Sequence, residues 1–124
     1  MTTQTTRILV VDDEQTQLET VCRGLFLYGY DCTGAKSARE ALRLLEQAPM
    51  AYSLVLTDLT MPERTGLDLI EKLFRRWPAL PVIVITGLAQ TPELEQVKEM
   101  GIPFLQKPFD PDQLVARIRE TLLR

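Results

Sequence analysis

Short unbroken apolar runs alternate with stretches whose apolar residues recur at helical spacing, and this alternation repeats five times along the chain. The first run is Arg7–Val11. After it comes a helix from about Glu14 to Tyr28, with Leu18, Val21, Cys22 and Leu25 at positions i, i+3, i+4 and i+7 and Gly29 as its stop. A short strand, Asp31–Ala35, leads into a helix starting at Ser37, where Ser37-x-x-Glu40 fits a capping box and Ala38, Ala41, Leu42 and Leu45 form the stripe. The third strand is Ser53–Thr57, and the helix after it, about Gly66–Trp77, is striped by Leu67, Ile70, Phe74 and Trp77. Val82–Thr86 is the fourth strand. Thr91 caps the fourth helix with Pro92 at its first turn, a favoured pairing. That helix has the thinnest stripe, Leu94, Val97 and Met100, and ends at Gly101. Pro103–Gln106 is the last strand, and Asp110-Pro111-x-Gln113 opens a final helix striped by Leu114, Ile118 and Leu122.

The first, third and fourth strands are continuously apolar and do not alternate. Such strands are covered on both faces, which implies a parallel sheet between layers of helices. Right-handed crossovers then bring every strand's C-terminal end to one edge. The predicted fold is α/β: a flavodoxin-like (βα)5 three-layer sandwich around a five-stranded parallel sheet in the order 2-1-3-4-5. Residues 1–6 read as a disordered lead-in and residues 7–124 as one domain.

Composition narrows the function classes. With 124 residues, 45% hydrophobic and 25% charged, the chain can bury one core without disulfides or a structural metal. The net charge is −3 and no basic run is present, so direct nucleic-acid binding is not expected. No apolar stretch approaches the roughly 20 residues that span a bilayer, so no membrane insertion is expected. The first six residues lack the apolar region of a signal peptide, which points to a cytoplasmic location. Cys22 and Cys32 lack CxxC spacing and read as buried thiols of a reducing compartment. There is no histidine, which excludes an imidazole base, a His-metal site and phosphohistidine on this chain.

The chemistry collects at the strand ends. Asp12 and Asp13 follow the first strand, Asp58 the third, Thr86 closes the fourth, and Lys107-Pro108 follows the fifth. In the predicted order the sheet reverses between strands one and three, where ligands bind in open parallel sheets. Gathering carboxylates there is unfavourable without compensation: unit charges about 4 Å apart repel by roughly 4 kcal/mol at an effective dielectric near 20. Lys107 and a divalent cation would offset this. An all-oxygen site suits Mg²⁺, whereas Zn²⁺ prefers imidazole or thiolate. An aspartate in such a site can attack a phosphoryl group while the cation and the ammonium neutralise its oxygens.

Taken in order, Val10-Val-Asp-Asp-Glu14, Asp58-Leu-Thr-Met-Pro62 with Gly66, Ile85-Thr-Gly87 and Lys107-Pro-Phe109 resemble the receiver domain of two-component response regulators. Some of these segments are similar to receivers attached to hybrid sensor kinases. The resemblance implies that Asp58 is the phosphoacceptor. Asp13 would be a direct Mg²⁺ ligand, Asp12 a ligand acting largely through water, and the Thr60 backbone carbonyl a further ligand alongside Asp58. It implies that Lys107 pairs with the phosphoryl oxygens, that its bond to Pro108 is cis, and that the Thr86 hydroxyl moves onto the phosphoryl group. Phe104 would follow it as an aromatic switch, without the hydroxyl of the tyrosine that many receivers carry. Thr60 and Leu88 would tune phosphoryl lifetime by their access to the attacking water. The implied donor is a histidine kinase or a histidine phosphotransfer domain, and the implied response surface, open to homodimerisation, is helix four, strand five and helix five. A receiver takes part in its own phosphorylation and dephosphorylation but turns over no separate substrate.

Other functions stay open on the residues alone. A small aspartyl-phosphate hydrolase or phosphotransferase of a related α/β fold usually carries Asp-x-Asp after the first strand, whereas this chain has Asp12-Asp13 adjacent. A flavodoxin-like cofactor binder needs a Ser/Thr-rich phosphate loop at that position, where this chain has Asp-Asp-Glu.

Overall fold

In a computed structural model, which describes residues 6–59, 66–87 and 91–123, the strands are β1 (Arg7–Val11), β2 (Asp31–Ala35), β3 (Leu54–Asp58), β4 (Val82–Thr86) and β5 (Phe104–Gln106). The helices are α1 (Gln15–Leu27), α2 (Ala38–Gln47), α3 (Gly66–Arg76), α4 (Pro92–Glu99) and α5 (Pro111–Leu122). All strand pairs are parallel and the sheet order is β2-β1-β3-β4-β5, as the apolar runs imply. Among the described residues, no helix is long and apolar enough to cross a membrane.

Strand parity divides the core into two layers. Leu9, Val11, Val55 and Val84 pack with buried residues of α2, α3 and α4. Ile8, Val10, Leu54, Leu56, Ile83 and Ile85 pack with Leu18 and Leu25 of α1 and with Leu114, Val115 and Ile118 of α5. Alternate residues of one strand therefore serve opposite helix layers, and this is why β1, β3 and β4 carry no polar side. Full burial of each Leu, Ile or Val stabilises the fold by roughly 1.5–3 kcal/mol.

Caps set the helix starts. The Ser37 hydroxyl accepts from the Glu40 N–H at 3.1 Å, and the Thr91 hydroxyl accepts from the Leu94 N–H at 3.2 Å. Asp110 and Gln113 form a reciprocal capping box, with the Gln113 side chain accepting from the Asp110 N–H at 2.8 Å. Gly101, at φ +73°, follows α4 in a left-handed conformation that other side chains rarely adopt. After α2 the chain makes a short 3-10 turn, Pro49–Ala51.

The structure moves two sequence expectations. β3 runs one residue further than expected and includes Asp58, because Leu56-Thr57-Asp58 keeps its pairing with Ile83-Val84-Ile85 of β4. On α3 the buried stripe is Leu67, Leu69, Ile70 and Leu73, whereas Phe74 is 39% exposed. Several helical registers were compatible with so many apolar residues, and packing against the sheet selected the one ending in Leu73. Leu73→Ala should therefore cost about 2–5 kcal/mol of stability. Phe74→Ala should cost no more than about 1 kcal/mol. Urea unfolding of the two variants measures the difference.

Candidate metal and phosphoacceptor site

The sheet positions the polar residues before any side-chain contact is considered. Parity continues past β1 and β5, so Asp12, Asp58 and Lys107 share the α1/α5 side with Ile8, Leu54 and Leu105. Thr86 shares the α2/α3/α4 side with Val84, and its register partners place Phe104 opposite Val84 and Gln106 opposite Thr86. The backbone holds these ends in place. The Asp12 N–H donates to the Ala35 carbonyl at 3.0 Å, and the Lys107 N–H donates to the Thr86 carbonyl at 2.8 Å. The Lys107–Pro108 peptide bond is cis.

One carboxylate oxygen from each of Asp12, Asp13 and Asp58 lies within 4.8 Å of the others. Asp12 and Asp58 are buried, at 6% and 9% exposure, while Asp13 is exposed. The Lys107 ammonium donates to Asp58 Oδ2 at 3.1 Å and stands 3.8 Å from Asp12 Oδ2. Asp12 also accepts from the Glu14 N–H through Oδ1 at 2.9 Å, so it caps the start of α1, whose preceding residue Glu14 makes no side-chain cap. The carboxylate that could help hold a cation thus also closes the turn into α1. The donor set fits a hard cation. It offers three carboxylates, one of them solvent-facing, in a chain without histidine and with both thiols elsewhere. Thr60, Met61, Pro62 and Leu88 lie outside the described residues.

Thr86 is fully buried and Phe104 half-buried. Lys98 of α4 sits with its ammonium 5.5 Å from the centre of the Phe104 ring. Phe104 thus faces α4, and Thr86 shares its strand parity at the end of β4. Gln17 is a partner the sequence did not single out: its Oε1 accepts from the Lys107 ammonium at 2.5 Å. Its only sequence signal is a position in the first turn of α1, four residues after Asp13. The ammonium is therefore shared among Asp58, Asp12 and Gln17.

Burial holds the Asp12 carboxyl above its ordinary value. The repulsion of Asp58 and Asp13 works in the same direction, while the Glu14 N–H and Lys107 pull it down. A carboxyl whose folded-state value is raised stabilises the fold at low pH and loses that contribution as pH rises through the folded value. Asp12→Asn keeps an oxygen acceptor for the Glu14 N–H and removes the charge. In metal-free buffer it should raise stability by on the order of 1 kcal/mol at neutral pH, the scale of one like-charge contact partly offset by Lys107. The gain should shrink to nothing as pH falls below about 4. Thermal melts across that range, with chelator present, test the sign.

Comparisons with known proteins agree with this geometry. The family model described as "Response regulator receiver domain" matches residues 8–119. The response regulator SaeR of Staphylococcus aureus is 33% identical over 121 residues, covering 96% of this chain and 51% of its own length. The chain thus spans about half the length of the curated relatives it matches. A response regulator receiver domain protein of Clostridium thermocellum superposes with a TM-score of 0.90 at 28% identity, covering 96% of this chain and 95% of that one. A response regulator receiver protein of Pseudomonas putida superposes at 0.86 with 33% identity, covering 96% and 99%. With the strand order, the acidic triad at the sheet reversal and the family model all in agreement, the chain belongs to the response regulator receiver domain family.

Proposed function

We propose that this chain is the phosphoacceptor switch of a two-component phosphorelay, in which Asp58 takes a phosphoryl group from a partner phosphohistidine in the presence of Mg²⁺. The observation that carries this reading is the Asp12–Asp13–Asp58 oxygen cluster with the Lys107 ammonium 3.1 Å from Asp58. Asp12, Asp13, Asp58 and, outside the described residues, the Thr60 carbonyl would hold Mg²⁺, which would supply charge neutralisation for the phosphoryl oxygens. Asp58 is the nucleophile: an oxygen–phosphorus bond forms on its carboxylate as the donor's nitrogen–phosphorus bond breaks. Lys107 remains in reach of the new group and exchanges a carboxylate partner for phosphoryl oxygens. Gln17 holds the ammonium from the other side.

Thr86 and Phe104 link this site to the α4–β5–α5 surface. The Thr86 hydroxyl moves toward the phosphoryl oxygens, and the space it leaves lets the Phe104 ring turn inward. This biases a pre-existing equilibrium of the surface and so controls partner binding. Partners are a histidine kinase or histidine phosphotransfer domain, with homodimerisation through α4–β5–α5 as a second use of that surface. Leu88 shields Asp58-phosphate from water, and Thr60 admits it, so the pair tunes phosphoryl lifetime.

Acetyl phosphate with Mg²⁺ should add one phosphoryl group to the protein, and chelation should prevent it. Free phosphomonoesters should not be turned over, whereas turnover would favour the hydrolase reading. Amide exchange with and without beryllofluoride should change in α4, β5 and α5. α4 has few buried residues, Leu94 and Val97, and should exchange early. Changes confined to α1 and α2 would contradict the assigned surface.

A further inference from the structure

The phosphoacceptor reading makes no use of the two cysteines, which are both free and half-buried. Geometry brings them together. α1 connects two parallel neighbours, β1 and β2, and therefore runs antiparallel to both. Gly34 of β2 pairs with Val10 and Cys32 with Ile8, so both residues face the α1/α5 layer. At Gly34 the helix comes very close: a Cβ there would stand 2.8 Å from Leu18 Cδ2. Four residues along α1 advance about 6 Å, and two residues back along β2 cover about 6.6 Å. The register that sets Leu18 on Gly34 thus sets Cys22 on Cys32. Both thiols pack against the same core cluster, close enough for each to shift the acidity of the other.

We infer that Cys22 and Cys32 form a thiol–disulfide exchange site that reacts with low-molecular-weight disulfides to close a reversible α1–β2 crosslink. Cys22 is the attacking group. The neighbouring Cys32 thiol holds Cys22 below its ordinary value, while Cys22 and burial push Cys32 above its own. Cys22 thiolate attacks one sulfur of the reagent, the reagent's S–S bond breaks, and one thiolate leaves with the bonding electrons. Cys32, on giving up its proton, attacks Cys22 Sγ of the mixed disulfide and displaces the second thiolate. One S–S bond is lost from the reagent and one is gained by the protein. Two electrons pass to the reagent, and the two thiol protons end on the two released thiols. The close approach at Gly34 draws α1 down onto β2, and the crosslink requires the two cysteine Cα atoms within about 7 Å.

The test uses reduced protein equilibrated in mixtures of reduced and oxidised glutathione, with mass spectrometry of the intact chain and of non-reducing digests. Wild type should lose both thiols in one transition, stay monomeric, and yield a linked peptide pair containing Cys22 and Cys32, with a higher melting temperature when oxidised. Cys32→Ser should stop at glutathione on Cys22, and Cys22→Ser should capture glutathione at least about 10-fold more slowly. Wild type that carries glutathione on both cysteines, forms an intermolecular disulfide, or keeps both thiols in oxidised glutathione alone would overturn the inference. These wild-type readouts do not depend on the variants folding, and they stand apart from phosphoryl transfer at Asp58.

Discussion

Asp58→Asn should abolish phosphoryl incorporation from acetyl phosphate and Mg²⁺, a fall of at least about 100-fold against wild type. The reasons are local. Asp58 is 9% exposed at the end of β3, its Oδ2 faces the Lys107 ammonium, and the Thr57 hydroxyl donates to the Asp58 carbonyl at 3.1 Å. The amide keeps the size of the carboxylate and an oxygen for Lys107, so the strand end is undisturbed. It is not a nucleophile, however, and it removes one of the three carboxylates that could hold a cation. Phosphate stoichiometry by intact-protein mass spectrometry measures the effect, with circular dichroism to confirm folding. Unchanged incorporation in Asp58→Asn would move the phosphoacceptor to another residue.

The second large effect concerns the acidic pair. Asp13→Ala should abolish measurable Mg²⁺ binding, and Asp12→Ala should weaken it less. Asp12 already spends Oδ1 on the Glu14 N–H and has Lys107 3.8 Å from Oδ2, both of which reduce what it can offer a cation. Asp13 is exposed and makes no hydrogen bond or ion pair among the described residues, so its carboxylate is available for direct coordination. Losing a direct ligand should lower affinity more than losing one that acts through water. Trp77 fluorescence or calorimetry under magnesium titration provides the ranking. Equal loss in both variants would mean that Asp12 coordinates directly as well.

Much of the molecule is decided at short range. Asp110 and Gln113 make their capping box, and Ser37 and Thr91 their caps, where the residue types require, because a cap involves only three or four neighbouring residues. The unbroken apolar runs at β1, β3 and β4 settle the class of sheet, since strands of that composition need cover on both faces. Asp12, Asp13, Asp58, Thr86 and Lys107 could therefore be placed on one sheet edge from their strand positions alone.

Longer-range decisions are of another kind. The end of β3 at Asp58 depends on how many pairs β4 offers, and the buried stripe of α3 depends on the sheet beneath it. Gln17 has no motif to mark it, and only the packing of α1 brings it to Lys107. The Cys22–Cys32 contact likewise depends on a missing Cβ at Gly34, on a neighbouring strand position and on a helix turn above it. A sequence determines which residues can cap, turn or be buried, because those preferences act within a few residues. Which groups meet across the molecule is decided by the tertiary structure, because strand register and helix docking sum many weak contacts that no single segment contains.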